Sequence, residues 1–256
     1  MWLDKYNNLE TVIHNWEPRV KLIGITTLIF TFAFINKLYL APFIVLISFI
    51  IYLFAKLPVG FLLKRLRLPG FFLIIMLVLM IFVSKGTVLF TIGPLSVKKE
   101  GLLTAVLVGA RFLSILTLVI VLFGTSSFTE NIKAMRSLGL PVIFADIMTF
   151  TYRYFFEISN YLKTMSHAMT LRGFKAKSFK DLAILASMVG TMFIRSFDQS
   201  ERVFSAMAIR GYGQARGFKY HTKIYPKDLF ITAVFIAISL GLLLAQSYLN
   251  AHTINF

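Results

Sequence analysis

The residues best suited to chemistry in this sequence form a pattern that occurs twice. Residues 168–174 read Ala-Met-Thr-Leu-Arg-Gly-Phe, and residues 206–212 read Ala-Met-Ala-Ile-Arg-Gly-Tyr. Arg172 and Arg210 hold the same place in the two copies, and a basic stretch follows each copy. Arginine stays charged at physiological pH and binds a carboxylate through two parallel hydrogen bonds. The repeat is therefore suited to binding an acidic side chain.

Two interpretations of the repeat are open. A glycine just past the last helical turn permits the left-handed conformation that ends many helices, and a cation there suits the negative helix end. That accounts for an Arg-Gly pair alone. A small Ala beside a flexible Met at an exposed helix end also suits insertion into a groove of another protein. We therefore expect a docking surface at eight positions: Ala168, Met169, Arg172, Gly173, Ala206, Met207, Arg210 and Gly211.

Other kinds of site find little support in the sequence. The phosphate-binding pattern Gly-x-x-x-x-Gly-Lys-Ser/Thr does not occur, so any ATP must be handled by partner proteins. The four histidines are far apart and the chain has no cysteine, which argues against a metal site and excludes thiolate chemistry. The carboxylates are few and scattered, unlike the clusters of a membrane enzyme. We expect no catalytic residue, no cofactor and no metal in this chain.

The composition is that of a membrane protein. Hydrophobic residues make up 57% of the 256 residues and charged residues only 15%, which is too apolar for an ordinary soluble domain. The formal net charge is nevertheless +16. The basic residues lie mainly between apolar runs, where the positive-inside rule places them in membrane proteins. We therefore expect the chain to interact with the lipid bilayer and not with nucleic acid.

Apolar stretches of about 17–25 residues predict an all-α integral membrane protein with about five transmembrane helices. The predicted spans are Val20–Asn36, Tyr39–Ala55, Leu68–Ser84, Gly101–Gly124 and Leu229–Leu249. Basic residues after the second and fourth spans place both connections in the cytoplasm, with the N-terminus inside and the C-terminus outside. Between the third and fourth spans, Ile92-Gly93-Pro94 at the centre of the loop 85–100 predicts a short outer hairpin.

A cytoplasmic helical region is predicted between spans four and five. A short helix from Thr129-Glu130 ends at Leu138-Gly139-Leu140-Pro141, a Gly/Pro stop signal. Two long helices follow, from Val142 to Leu171 and from Asp181 to Ile209. The expected domains are a membrane part at 1–124, the coupling helices at 125–227, and a final span with a short outer tail at 228–256.

Arg111 is a separate candidate in the middle of the fourth span. A charged residue at the bilayer centre costs about 2.5–3.5 kcal/mol, so its side chain should face protein or water. One interpretation is a structural pairing with backbone carbonyls or with an acid, Glu157 or Asp146. The other is a direct contact with a partner membrane protein or its cargo.

Four stretches, taken in order, resemble the transmembrane T component of energy-coupling factor (ECF) transporters, which are ABC-type importers. They are residues 17–22, residues 125–141 and the two Arg-Gly endings. Tyr152-Arg153-Tyr154 and residues 195–202 resemble the cobalt/nickel branch, the CbiQ/NikQ type. The sequence departs from the family pattern in one place, because Leu171 and Ile209 precede the arginines where many members have Ala.

The resemblance implies a non-catalytic coupling subunit in the cell membrane of a prokaryote. Arg172 and Arg210 would each engage an acidic residue of one of two cytoplasmic ABC ATPase subunits, on two crossed coupling helices. ATP hydrolysis would then move a membrane-embedded substrate-binding S component, with cobalt or nickel as the implied cargo. A T component shared among vitamin-binding S components is the alternative. A self-sufficient secondary transporter is disfavoured, because among the ionisable residues only Arg111 lies deep in a span.

Overall fold

The computed structural model describes residues 11, 13–14, 16–83, 88–92, 95–175, 181–213 and 225–253. This described part is helical apart from one two-stranded hairpin, which confirms the all-α fold class. The chain divides into two compact units. One comprises Met1–Ala134 with Thr222–Phe256, and the other comprises Met135–His221.

The first unit contains the apolar helices and the hairpin: α1 Pro18–Phe34, α2 Ala41–Ala55, α3 Val59–Val83, β1 Val88–Ile92, β2 Leu95–Lys98, α4 Lys99–Gly124 and α8 Pro226–Thr253. A 3₁₀ turn at Leu38–Leu40 precedes α2. Helix α5, Phe128–Ser137, begins in the first unit and ends in the second. The second unit contains the long helices α6, Val142–Leu171, and α7, Asp181–Ile209. The predicted bounds of α6 and α7 are confirmed.

Among the described residues, four helical segments are long and apolar enough to cross a membrane: Leu38–Ala55, Val59–Phe82, Lys99–Gly124 and Pro226–Leu249. Helix α1, with 17 residues, lies at the lower limit of the spanning range.

The predicted start of the third span at Leu68 is wrong, because α3 begins at Val59. Lys64, Arg65 and Arg67 therefore lie within the first turns of α3 and not in a loop. The helix continues through them because long basic side chains can reach from a helix end to the membrane surface.

The connection between α3 and α4 contains the predicted hairpin. Strands β1 and β2 are antiparallel, with Ile92 opposite Leu95. Gly93 and Pro94, the predicted turn, lie outside the described residues. The hairpin is confirmed, and its place outside the membrane stays a prediction.

Helix α1 supplies much of the core of the first unit. Ile25, Leu28 and Phe32 recur at helical spacing and are fully buried. Helix α1 packs against α4 and against α8, and the Trp16 ring just before it lies 5.1 Å from the Phe235 ring of α8. Neighbouring helices thus surround the start of α1, which is the less hydrophobic end of this short helix.

Helices α1 and α8 run side by side in the same direction. Near their starts, the Trp16 indole N–H donates to the Asp228 carbonyl at 3.3 Å. Near their ends, the Gln246 side-chain amide donates to the Phe34 carbonyl at 3.1 Å. The five predicted spans require this parallel arrangement, since an odd number of crossings returns the last helix to the direction of the first.

A fully buried lysine ties the start of α1 to the connection between α4 and α5. The Lys21 ammonium group donates to the Ser126 hydroxyl at 2.7 Å and to the Thr125 carbonyl and hydroxyl at 3.2 and 3.3 Å. Its three donors all have acceptors, as a buried charge requires. Lys21 and Thr125 belong to two of the stretches that carry the family resemblance, and the structure brings those stretches into contact.

Helix α5 begins directly after this contact in a capping box. The Ser127 backbone N–H donates to the Glu130 carboxylate at 3.0 Å, and the Glu130 N–H donates to the Ser127 hydroxyl at 3.2 Å. The two side chains satisfy each other's exposed helix-start amides, a pattern that Ser-x-x-Glu predicts. The start of α5 is thus fixed both by its own cap and by Lys21.

Replacing Lys21 with Met should destabilise the protein by about 2–4 kcal/mol, because the Ser126 hydroxyl and the Thr125 oxygens then stay buried without their donor. The melting temperature of the purified protein in detergent, followed by tryptophan fluorescence, measures this change. Lys99→Met, which removes an exposed lysine at the start of α4, is the matched control and should melt like the unchanged protein. Equal melting of the two variants would contradict a structural role for Lys21.

Candidate functional site

The first Arg-Gly ending closes α6 with a Schellman cap. The Phe174 N–H donates to the Met169 carbonyl at 3.0 Å, and the Gly173 N–H donates to the Thr170 carbonyl at 3.0 Å. Gly173 has φ +84°, the left-handed conformation that this cap needs and that a side chain disfavours. Arg172 is the last residue before this reversal of the backbone.

The second ending closes α7 in the same way. The Tyr212 N–H donates to the Met207 carbonyl and the Gly211 N–H to the Ala208 carbonyl, both at 3.0 Å. Gly211 has φ +77°. The two copies of the sequence repeat therefore adopt one backbone geometry, with Arg172 and Arg210 in equivalent positions.

Helix α5 provides an internal comparison, because it ends with the same cap but has no arginine directly before the glycine. Its last residues read Ala-Met-Arg-Ser-Leu-Gly-Leu from 134 to 140. The Leu140 N–H donates to the Met135 carbonyl at 3.1 Å, the Gly139 N–H donates to the Arg136 carbonyl at 3.3 Å, and Gly139 has φ +110°. Ala, Met, Gly and an apolar residue after Gly are thus common to three capped helix ends.

The third cap separates the residues of the repeat that the helix end needs from those that it does not need. A Schellman cap is often accompanied by an apolar contact between the residue after Gly and the last turn of the helix, where Ala and Met lie. The docking role of the two Ala-Met pairs stays a prediction, and the shared Ala-Met and an apolar residue after Gly are accounted for by the cap. The aliphatic-Arg pair is not explained by it, because α5 has Ser137-Leu138 in those positions and ends alike.

The aliphatic-Arg pairs are exposed at both helix ends. Leu171 is 76% exposed and Ile209 is 88% exposed. Arg172 and Arg210 are exposed as well, and neither guanidinium group has a hydrogen bond or an ion pair within the described part of the chain. Each α6 and α7 end, hereafter a tip, therefore presents a large apolar side chain next to an uncompensated positive charge.

The second tip carries a further contact. The Tyr212 hydroxyl donates to the Asp146 carboxylate near the start of α6 at 2.7 Å, and Asp146 also pairs with Arg136 of α5 at 3.7 Å. The hydrogen bond to the Asp146 carboxylate raises the pKa of Tyr212, whose phenol is in any case protonated and able to donate at neutral pH.

A cleft of about 620 Å³ lies between α6 and α7. The Arg195 guanidinium lies over the Tyr161 ring at 5.3 Å from its centroid, and Arg202 donates to the Gln199 side chain at 2.9 Å. Glu157 also lines the cleft. Residues from the two stretches that resemble the cobalt/nickel branch meet here. Sequence reasoning did not find the cleft, because each wall belongs to a different helix.

Both tips lie within the part of the chain that matches a single protein family. The model of the CbiQ family, described as a cobalt transport protein, matches residues 10–221 of the 256. The chain belongs to the CbiQ family.

Relatives of this CbiQ-family chain extend along nearly its whole length. The energy-coupling factor transporter transmembrane protein EcfT of Exiguobacterium sibiricum is 29% identical, covering 86% of this chain and 91% of the relative. EcfT of Thermosediminibacter oceani is 27% identical and covers 94% of each chain. An uncharacterized protein of Methanocaldococcus jannaschii is 25% identical, covering 95% of this chain and 88% of the relative. These matches confirm the resemblance: the chain is a T component of the ECF transporters.

Arg111 of this T component contacts the end of α1. Its guanidinium group donates to the Ile35 carbonyl and, at 3.0 Å, to the Asn36 side-chain oxygen. Ile35 is the C-cap residue of α1. A cation beside the last carbonyl suits the negative end of a helix. The structural interpretation of Arg111 expected a pairing with backbone carbonyls, and the Ile35 carbonyl is such a partner. Asp146, one of the acids considered as a partner, binds Tyr212 and Arg136.

The described residues contain no group of three or more His, Cys, Asp or Glu side chains that could hold a metal ion. Of the four histidines, His221 lies outside the described residues. The features that stand out in the described part of this CbiQ-family chain are the two exposed tips and the cleft between α6 and α7.

Replacing Gly173 and Gly211 with Ala should loosen both caps by about 1–2 kcal/mol each, because a Cβ disfavours the left-handed conformation. Amide hydrogen exchange of the peptides that end α6 and α7, measured by mass spectrometry, should become at least roughly fivefold faster. Gly190→Ala, in the interior of α7 where the added Cβ would meet nothing within 4 Å beyond the adjacent backbone of its own helix, is the control and should not accelerate exchange. Unchanged exchange at both tips would contradict the assigned caps.

Proposed function

We propose that this T component is a non-catalytic coupling subunit of an importer, which passes the motion of two partner ATPase subunits to a membrane-embedded S component. The observation that carries the proposal is the pair of tips with one backbone geometry. Both present an exposed aliphatic-Arg pair that the helix cap does not require. Two equivalent tips suit two similar partner subunits.

The chemistry of each tip suits an acidic groove on the partner. The arginine can form a bidentate, charge-assisted pair with a carboxylate. The adjacent aliphatic side chain, Leu171 or Ile209, can bury its surface in an apolar pocket beside that acid, which contributes about 1.5–3 kcal/mol per side chain. ATPases can shift the membrane part only through contacts that differ between their open and closed states. A contact with both a charge and an apolar anchor can transmit force in either direction.

The eight positions expected from the sequence divide into a contact surface and the helix caps that support it. Arg172 and Arg210, with Leu171 and Ile209, form the contact surface. Gly173 and Gly211, with the two Ala-Met pairs at 168–169 and 206–207, hold the helix ends in the geometry that exposes it. The tips would lie on the cytoplasmic side of a prokaryotic cell membrane, the side that the basic start of α3 also favours.

Cobalt or nickel is the cargo that we propose, with the metal bound by the S component. The description of the matching family as a cobalt transport protein supports this choice. The alternative is a T component shared among vitamin-binding S components. Uptake of radioactive cobalt or nickel by cells that express the complete transporter distinguishes the two.

Reversing the charge of both tips, Arg172→Glu with Arg210→Glu, should weaken ATPase binding more than roughly 30-fold. The reason is that each glutamate would then face the partner's acid without its counter-charge. Copurification of the ATPases with the tagged T component and the initial rate of uptake measure the effect. Lys163→Glu, a single charge reversal at an exposed position of α6, is the control and should copurify normally. A double variant with full uptake and unchanged copurification would rule the proposal out.

A second pair of variants separates the contact surface from the cap. Leu171→Ser with Ile209→Ser should lower ATPase affinity at least roughly tenfold, because the exposed apolar anchors are lost. Met169→Leu with Met207→Leu keeps an apolar residue in each cap and should bind the ATPases normally. Titration of the ATPases against the T component in nanodiscs measures both. The reverse order of effects would show that the Ala-Met pairs form the docking surface.

A further inference from the structure

The two tips differ in one chemical group with a structural consequence. Tyr212 and Phe174 hold the same place after the capping glycine, and Leu140 shows that this cap needs only an apolar residue there. The hydroxyl of Tyr212 is thus an addition to the cap. It donates to the Asp146 carboxylate at 2.7 Å, a contact that Phe174 cannot make.

Asp146 joins three helix segments at this point. It lies in the first two turns of α6, accepts the hydrogen bond from the α7 tip and pairs at 3.7 Å with Arg136 in the last turn of α5. A hydrogen bond to an ionised carboxylate is stronger than one to a neutral acceptor, and the same carboxylate is ion-paired with Arg136. The second tip is therefore bound to the place where α5 ends and α6 begins.

Helix α6 then lies between the two tips. The second tip is held beside Asp146 near the start of α6, while the first tip is the end of α6 itself. The 26 residues from Asp146 to Arg172 extend about 39 Å along a straight helix at 1.5 Å per residue. The distance between the tips is thus set by α6, provided that the second tip stays bound to Asp146.

We propose that Tyr212 and Asp146 are positioning residues, which attach the Arg210 tip to the start of α6 and thereby fix the spacing of the two tips. The inference rests on the proposed coupling function. The Arg172 tip depends on its own cap, whereas the Arg210 tip is also tied to the start of α6. A displacement of the Arg210 tip by its partner is consequently carried directly to the start of α6 and the end of α5.

The absence of cysteine allows a direct measurement of this spacing. Cysteines in place of Thr170 and Ala208, exposed and equivalent positions of the two tips, carry spin labels in the full chain reconstituted in nanodiscs. Pulsed electron resonance should give one narrow distance distribution. Tyr212→Phe and Asp146→Ala should each broaden it, with the detached population roughly fivefold larger, the equivalent of about 1 kcal/mol.

The combined variant separates one contact from two independent effects. Tyr212→Phe with Asp146→Ala should broaden the distribution no more than Asp146→Ala alone, because the same hydrogen bond is lost only once. Tyr161→Phe, which removes a different hydroxyl from α6, should leave it narrow. A distribution that stays narrow in Tyr212→Phe, or additive broadening in the double variant, overturns the assigned contact.

The functional arm uses the complete transporter. Tyr212→Phe should lower the amount of cargo imported per ATP hydrolysed while the ATPases still copurify, because Arg210 remains but its position is less fixed. Uptake per ATP that stays unchanged despite a broadened distribution overturns the positioning role. Failure of the proposed function itself looks different: the unchanged chain would bind no ATPase, while its distance distribution would still respond to Tyr212→Phe.

Discussion

The end of an α-helix leaves backbone carbonyls without partners, and the way in which this chain satisfies them determines where its functional groups lie. At both tips the solution is a glycine in the left-handed conformation, at Gly173 and Gly211, which reverses the backbone so that two N–H groups return to the last turn. The residue before each glycine then lies at the outer limit of the helix. An arginine there is exposed without any further structure to hold it.

The first unit satisfies the carbonyls at a helix end by other means. Helix α1 ends after 17 residues, the lower limit for crossing a bilayer core of about 30 Å. Its terminal carbonyl at Ile35 receives the Arg111 guanidinium from α4. At the opposite end, Lys21 is enclosed with acceptors for all three of its donors. Charges inside this unit therefore complete the hydrogen bonding of backbone and hydroxyl groups, which explains why they are tolerated among apolar helices.

Local sequence signals predicted the coupling helices well, because their ends are set by residues close to them in the chain. The Gly and Pro residues at 139 and 141 and the capping glycines determine where α5, α6 and α7 stop, and those ends were predicted. The start of α3 was misplaced, since Lys64 and its basic neighbours have the composition of a loop although the helix passes through them. The contacts of Lys21 with Ser126 and of Tyr212 with Asp146 join positions far apart in sequence, and no local pattern encodes such a pairing.

The repeat shows why similarity of sequence and similarity of role have to be separated. Three helix ends share Ala, Met and Gly because they share a cap, so those identities measure a common backbone geometry. The arginine and its aliphatic neighbour are common to only two of the three, and they are exposed in both. An arginine that recurs where the cap does not require it, and that forms no hydrogen bond or ion pair in the described part of the chain, supports the proposed partner outside the chain. Tyr212 is the opposite case. Its hydroxyl is present in only one of the two copies, and it has a partner, Asp146, within the chain.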